Sequence, residues 1–244
     1  VNWYVGQLLS LQAEDGYLGA SPRGYRYLNY EPNTSGHGDI CWDTSGHYYI
    51  MLGLLLWYED TKAPEVLEAA RRIGEGLCDA YLGTGQRMVD TGFTETNLAP
   101  AHSLAVLYRV TGEERYVALA RQIVDEEFGA QGAGGEYLTG NYLNGGLEGK
   151  EFHELPTARW EGLHQMLAMV ELYYITGDER YRNVIVHFWW SILRTDRHNT
   201  GGFSTDEVAI GSPYEYGPIE TCCTVAWISY GVEVLRLTGD SIVA

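Results

Sequence analysis

The sequence contains no apolar run near the ~20 residues that a membrane-spanning helix requires, and no Cys-x-x-Cys pair. The first absence argues against a membrane partner, and nothing at the start resembles a signal peptide. The chain opens without Met, on Val1-Asn2-Trp3-Tyr4, already inside an amphipathic pattern, and it stops just after a turn. It is therefore expected to be a single partial domain, 1–244, truncated at both ends. Cysteine is scarce: Cys41, Cys78, Cys222 and Cys223 show no even spacing, which excludes a disulfide scaffold. Reduced thiols fit a reducing compartment. Basic residues are scarce as well. Sixteen Lys and Arg stand against 33 Asp and Glu, and the net charge of -17 repels a polyanion, so nucleic acid is excluded as a partner.

Aromatic residues are abundant, with 19 Tyr and 7 Trp, many beside glycine as in Gly24-Tyr25-Arg26-Tyr27. Rings with polar tips next to adaptable backbone suit a neutral, hydroxyl-rich ligand such as a carbohydrate, although they serve ordinary cores too. One phrase recurs. Leu107-Tyr108-Arg109-Val110-Thr111-Gly112-Glu113 matches Leu172-Tyr173-Tyr174-Ile175-Thr176-Gly177-Asp178, Leu235-Arg236-Leu237-Thr238-Gly239-Asp240 repeats its end, and a weaker version lies near Thr61. Each reads as a helix C-terminus and turn followed by acidic residues that suit the next helix start. The 65 residues from Thr111 to Thr176 and the 62 from Thr176 to Thr238 accommodate two helices and a loop.

Helices are expected near 1–12, 44–60, 64–82, 97–110, 113–128, 158–175, 178–194 and 220–237. Glycine-rich loops at 130–149 and 199–217 have room for short strands. The fold class that follows is all-α, an incomplete (α/α) toroid of helical hairpins with about eight of its twelve helices present.

The chemistry concentrates at Pro218-Ile219-Glu220-Thr221-Cys222-Cys223, a helix start. Unpaired N–H groups there favour the thiolate, the nucleophilic and metal-binding form of cysteine. Burial as a small apolar residue is the ordinary fate of a free Cys, but a carboxylate two residues before a thiol puts a hard and a soft donor in one segment. Residues two apart do not face each other on a helix. Glu220 and Cys222 can share an ion only if Glu220 stays extended, and Cys223 should point elsewhere. Two ligands are too few for zinc, which takes four.

These residues, with Gly201-Gly202-Phe203-Ser204-Thr205-Asp206-Glu207 before them and the Thr-Gly-Asp turns, resemble the zinc-dependent β-L-arabinofuranosidases of glycoside hydrolase family 127. The resemblance implies retaining cleavage of a terminal arabinofuranosyl or related sugar, with Glu207 as general acid/base and Glu220 and Cys222 as zinc ligands. It implies that the nucleophilic cysteine and the remaining ligands come from a Cys-Cys pair outside this chain, leaving the ligand set here incomplete and the chain alone inactive. A partly apolar pocket would keep Glu207 protonated for its role as acid. His47, His102 and His164, near helix starts, with Trp160 and Glu161, are candidates for binding sugar hydroxyls. His37 and His198 are weaker ones, and His153 and His187 read as structural. Two other readings stay open: a metal-independent epimerase or unsaturated-uronide hydrolase on the same architecture, and a non-catalytic helical-repeat scaffold.

Overall fold

The structure, a computed structural model, describes residues 1–27, 42–91 and 94–243. His37 and Cys41 lie outside the described residues. The chain divides into two compact units, Val1–Ile123 and Val124–Ala244.

In the first unit α1 (Asn2–Leu11), α2 (Asp43–Thr61), α3 (Pro64–Tyr81), the single turn α4 (Thr94–Asn97), α5 (Pro100–Thr111) and α6 (Glu114–Gln122) follow one another. Pro64 and Pro100 take the first helical position, where a missing N–H costs nothing. α3 buries Val66, Ala69, Ala70, Ile73, Leu77 and Tyr81 on one stripe, the spacing of a helix packed on one face. α2 packs against α3 and α5, and α6 against α5 and α3, as stacked hairpins do.

The second unit holds α7 (Tyr142–Leu147), α8 (Gly162–Thr176), α9 (Glu179–Thr195) and α10 (Thr221–Thr238). α8 is buried almost without interruption from Gly162 to Leu172 and packs on both α9 and α10, whereas α9 buries a single stripe through Tyr181, Ile185, Phe188 and Ile192. The all-helical expectation holds, with shifted boundaries. The helix expected at 113–128 becomes α6 plus a π-turn, Ile123–Glu127. The one expected from 158 starts at Gly162, because Arg159 is drawn into a backbone bridge with Val208. α7 falls inside an expected loop. The anticipated strands reduce, among the described residues, to four isolated bridges.

The recurring phrase has one structure. Thr111, Thr176 and Thr238 each donate Oγ1–H to the carbonyl four residues back (2.8, 2.7 and 2.8 Å) and accept the N–H two residues on (3.3, 3.2 and 3.2 Å). The intervening Gly112, Gly177 and Gly239 are left-handed, with φ of 72°, 69° and 66°, a conformation glycine adopts without a Cβ penalty.

Candidate functional site

Glu207 lies on a two-residue turn. Thr205 and Val208 exchange backbone hydrogen bonds of 3.0 and 3.1 Å, and between them Asp206 and Glu207 have φ of 48° and 68°. Positive φ at both central residues marks the tight turn that normally selects Asn-Gly or Asp-Gly. Asp tolerates it; Glu is out of place, and strain of this kind gathers at functional sites. Phe203, wholly buried, fixes the approach to the turn by packing near Phe152 and Trp227, at 6.1 and 6.0 Å between ring centroids.

The far side of the turn pairs with the segment ahead of α8. Ala209 N–H donates to Ala158 (2.7 Å) and Trp160 N–H to the Glu207 carbonyl (3.2 Å). This register sets Arg159 beside Glu207. The guanidinium donates twice to Glu161, at 3.1 Å each, and once to the Glu207 carboxylate at 2.5 Å. Its pKa is held above the ordinary arginine value, first by the bonds to Glu161. The setting of Glu207 is thus cationic, where a partly apolar one was expected. Trp160 meets His164 edge to face at 5.5 Å, and its indole N–H is buried without a protein partner among the described residues. Burial lowers the His164 pKa to about 4, so its ring is neutral at pH 7.

The near side of the turn is strapped to the entry of α10. Asp206 N–H donates to the Pro218 carbonyl at 3.1 Å, and a Cβ on Gly217 would strike Thr205 at 2.4 Å. Glu220 caps α10 in extended conformation (φ -83°, ψ 146°), as Pro218 implied. Its carboxylate accepts from the exposed Cys222 thiol at 3.2 Å. Contrary to expectation, Cys223 joins them: donor atoms of Glu220, Cys222 and Cys223 all lie within 4.8 Å of one another. Cys223 is fully buried. The helix start does not win the Cys222 thiolate either. Partial burial and the Glu220 carboxylate raise its pKa despite the Cys223 N–H, and burial pushes the Cys223 thiol to about 12.

Arg159 thus joins Glu207 to Glu161, Trp160 next to it packs on His164, and the turn links this group to the segment that leads into Glu220 and the two thiols. His47 and His102 belong to the first unit. His47 departs from its expected role in sugar binding: it is 1% exposed, with Nδ1 2.7 Å from the Asp43 carbonyl and Nε2 accepting from Leu18 N–H at 3.1 Å. Its ring is committed to backbone. His102 Nδ1 lies 3.1 Å from the Tyr48 hydroxyl. His198 is bonded to Ser204 and Thr205, and His187 to the Lys150 carbonyl. Sequence reasoning missed Arg159 and Cys223. A cation beside Trp160-Glu161 in so acidic a chain was the available signal for the first.

The donor set fits zinc. Ligand bonds of about 2.0–2.3 Å place neighbouring donors of one tetrahedron roughly 3.5–3.8 Å apart, within reach of these three atoms, and thiolate with carboxylate is a zinc-type combination.

Stacked helical hairpins with an acid-bearing turn beside a carboxylate–thiol cluster define an α/α-toroid glycosidase domain. The chain belongs to the β-L-arabinofuranosidase, glycoside hydrolase family 127 catalytic domain family, whose profile matches residues 1–244. A crystal structure of a family 127 β-L-arabinofuranosidase from Geobacillus stearothermophilus is similar with TM-score 0.71 at 17% identity, over 99% of this chain and 40% of that one. A second family 127 β-arabinofuranosidase gives 0.72 at 17%, over 99% and 38%. A family 76 α-1,6-mannanase from a Salegentibacter species gives 0.61 at 15%, over 98% and 64%. This chain thus spans about 40% of the length of the solved family 127 relatives. No curated protein matches it in sequence.

Proposed function

We propose that this chain is the acid/base- and metal-bearing part of a retaining glycosidase that removes a terminal β-L-arabinofuranosyl or related sugar. The observation that carries the reading is the strained 205–208 turn, which commits Glu207 to a left-handed conformation beside the entry of α10. Glu207 donates a proton to the departing glycosidic oxygen and, as carboxylate, later takes one from water. Arg159, anchored by two bonds to Glu161, orients Glu207 with a third. The indole N–H of Trp160 is a donor for a sugar hydroxyl. Glu220 and Cys222 are the residues that would hold zinc, and zinc there would supply a Lewis acid that keeps a coordinated thiol ionised at neutral pH. Attack on the anomeric carbon is assigned to a cysteine outside these 244 residues. Family membership favours this reading over the epimerase, uronide-hydrolase and scaffold alternatives.

The test compares leaving groups in the intact protein. Glu207→Gln should lower kcat/KM by ~10²–10⁴ on an alkyl arabinofuranoside, the usual contribution of a general acid. It should lower it far less on a nitrophenyl arabinofuranoside, whose leaving group needs no proton. Equal loss on both substrates, or none on either, would remove Glu207 from the role of acid.

A further inference from the structure

We propose that Asp196 is a positioning residue for Glu207: its buried carboxylate fastens the segment leaving the acid-bearing turn and so keeps the proton donor in place for the departing oxygen. The inference rests on the reading of Glu207 as general acid, and adds the residue that the turn needs to serve it. Asp196 follows the last residue of α9, where unpaired carbonyls repel a negative charge, so helix stability alone selects against an acid there. It is nonetheless 2% exposed. A buried carboxylate needs donors, and these come from far along the chain: the N–H groups of Ile210 and Gly211, fourteen and fifteen residues on, both donate to Oδ1 at 2.8 Å. Oδ2 lies 2.5 Å from the Thr195 hydroxyl and 3.7 Å from His153 Nδ1. His153 closes over the same point, since a Cβ on Gly211 would lie 2.7 Å from its ring.

The two ends of the 196–211 loop are thus tied at one carboxylate, and the tie matters because of what the loop carries. Asp206 and Glu207 keep positive φ only while the surrounding backbone over-determines it. The approach to the turn is braced within the loop: Arg197 bridges to Phe203, and His198 Nε2 lies 3.1 Å from the Ser204 carbonyl. On the exit, the bond from Ala209 to Ala158 is followed directly by the two bonds to Asp196. Asp196 therefore acts on Glu207 through the backbone of Val208, Ala209 and Ile210. Freeing Ile210 and Gly211 lets the strained turn relax, and a shift of about 1 Å in a reacting group is enough for a ~10²-fold loss of rate.

The experiment compares Asp196→Ala, Asp196→Asn and Glu207→Gln in the intact protein on the alkyl and nitrophenyl arabinofuranosides. Asp196→Ala should lower kcat/KM by ~10²-fold on the alkyl substrate and far less on the nitrophenyl one, because only the first needs a well-placed acid. A residue that merely holds the fold together would cost active protein and reduce both rates alike. Asp196→Asn keeps an Oδ1 acceptor with about half the bond strength, and should recover most of the alkyl activity. In the Glu207→Gln background Asp196→Ala should add little further loss on the alkyl substrate, since both act on one step. Equal loss on the two substrates, no loss on either, or full additivity with Glu207→Gln would overturn the proposal. If Asp196→Ala unfolds by circular dichroism, Asp196→Asn decides by the same comparison: a loss on the alkyl substrate alone supports the role, and an equal loss or none removes it. If Glu207→Gln itself treats the two substrates alike, the reading of Glu207 as acid falls and this proposal falls with it. If Glu207→Gln distinguishes them and the Asp196 variants do not, only this proposal falls.

Discussion

Glu207 sits where glycine would be comfortable. At φ 68° the Cβ clash of a left-handed residue costs roughly 1–2 kcal/mol, set against the extra chain entropy glycine gives the unfolded state. Glu207→Gly should therefore leave thermal stability unchanged or raised by up to ~1 kcal/mol, while activity of the intact protein falls as it does for Glu207→Gln; a clear drop in Tm would mean that the turn depends on the Arg159 ion pair. His164 gives a prediction with a definite sign. Its folded pKa of about 4 lies below the ordinary 6.5, so between those values the unfolded chain binds the extra proton and stability falls as pH falls. Tm should decline from pH 7 to pH 4, and His164→Gln should flatten part of that slope, the remainder including His47, whose pKa burial also lowers. Residue type and spacing single out Glu220 and Cys222 as candidates, and Glu207 is a candidate through the resemblance of the 201–207 segment to a known family. Arg159 was signalled only as a cation beside Trp160-Glu161; the bridge to Val208 that sets it against Glu207 leaves no trace in local pattern. Cys223 was misjudged because helix periodicity was applied to a residue whose surroundings are set by the cap.

The ends of α2, α5, α8 and α10 were readable in advance because each carries its own chemistry. A threonine that bonds back to the last turn, a left-handed residue and an acidic helix start can be recognised without any tertiary contact. The weaker copy near Thr61 obeys the same rule: Thr61 Oγ1–H donates to Trp57 at 2.8 Å and accepts from Ala63 N–H at 3.3 Å, but Lys62 takes the left-handed position at φ 55°. Lys62→Gly should stabilise the chain by up to ~1 kcal/mol and Gly177→Ala should cost about as much, both measurable by urea denaturation. What the pattern could not supply was α7. Its Asn-Gly-Gly sequence reads as turn, and its helix is held by packing on α9. The start of α8 was likewise decided by pairing between distant segments rather than by propensity.

Over the whole molecule, a net charge of -17 opposes association while apolar surface promotes it. Val225, Ile228 and Val232, at 56%, 59% and 45% exposure, lie along one face of α10, and the latter two line a groove of about 560 Å³ shared with Trp189 and Leu193 of α9. Uncovered apolar helix faces of this kind associate. Light scattering by the 244-residue chain should show self-association that grows with salt, as screening weakens the repulsion, and that Ile228→Lys with Val232→Lys abolishes. Persistence of the same aggregates in the double variant would place the contact elsewhere. The two-residue links of α2 to α3, α5 to α6 and α8 to α9 bear on the order in which the chain acquires its shape. A helical hairpin made of sequence neighbours closes fast, since little loop entropy stands in its way. The 43–81 hairpin takes roughly 2–8 s to emerge from a ribosome at ~5–20 residues per second. Each hairpin can therefore finish before the next one is translated, whereas Glu207 and the two thiols meet only after the hairpins that precede them in the sequence have been made.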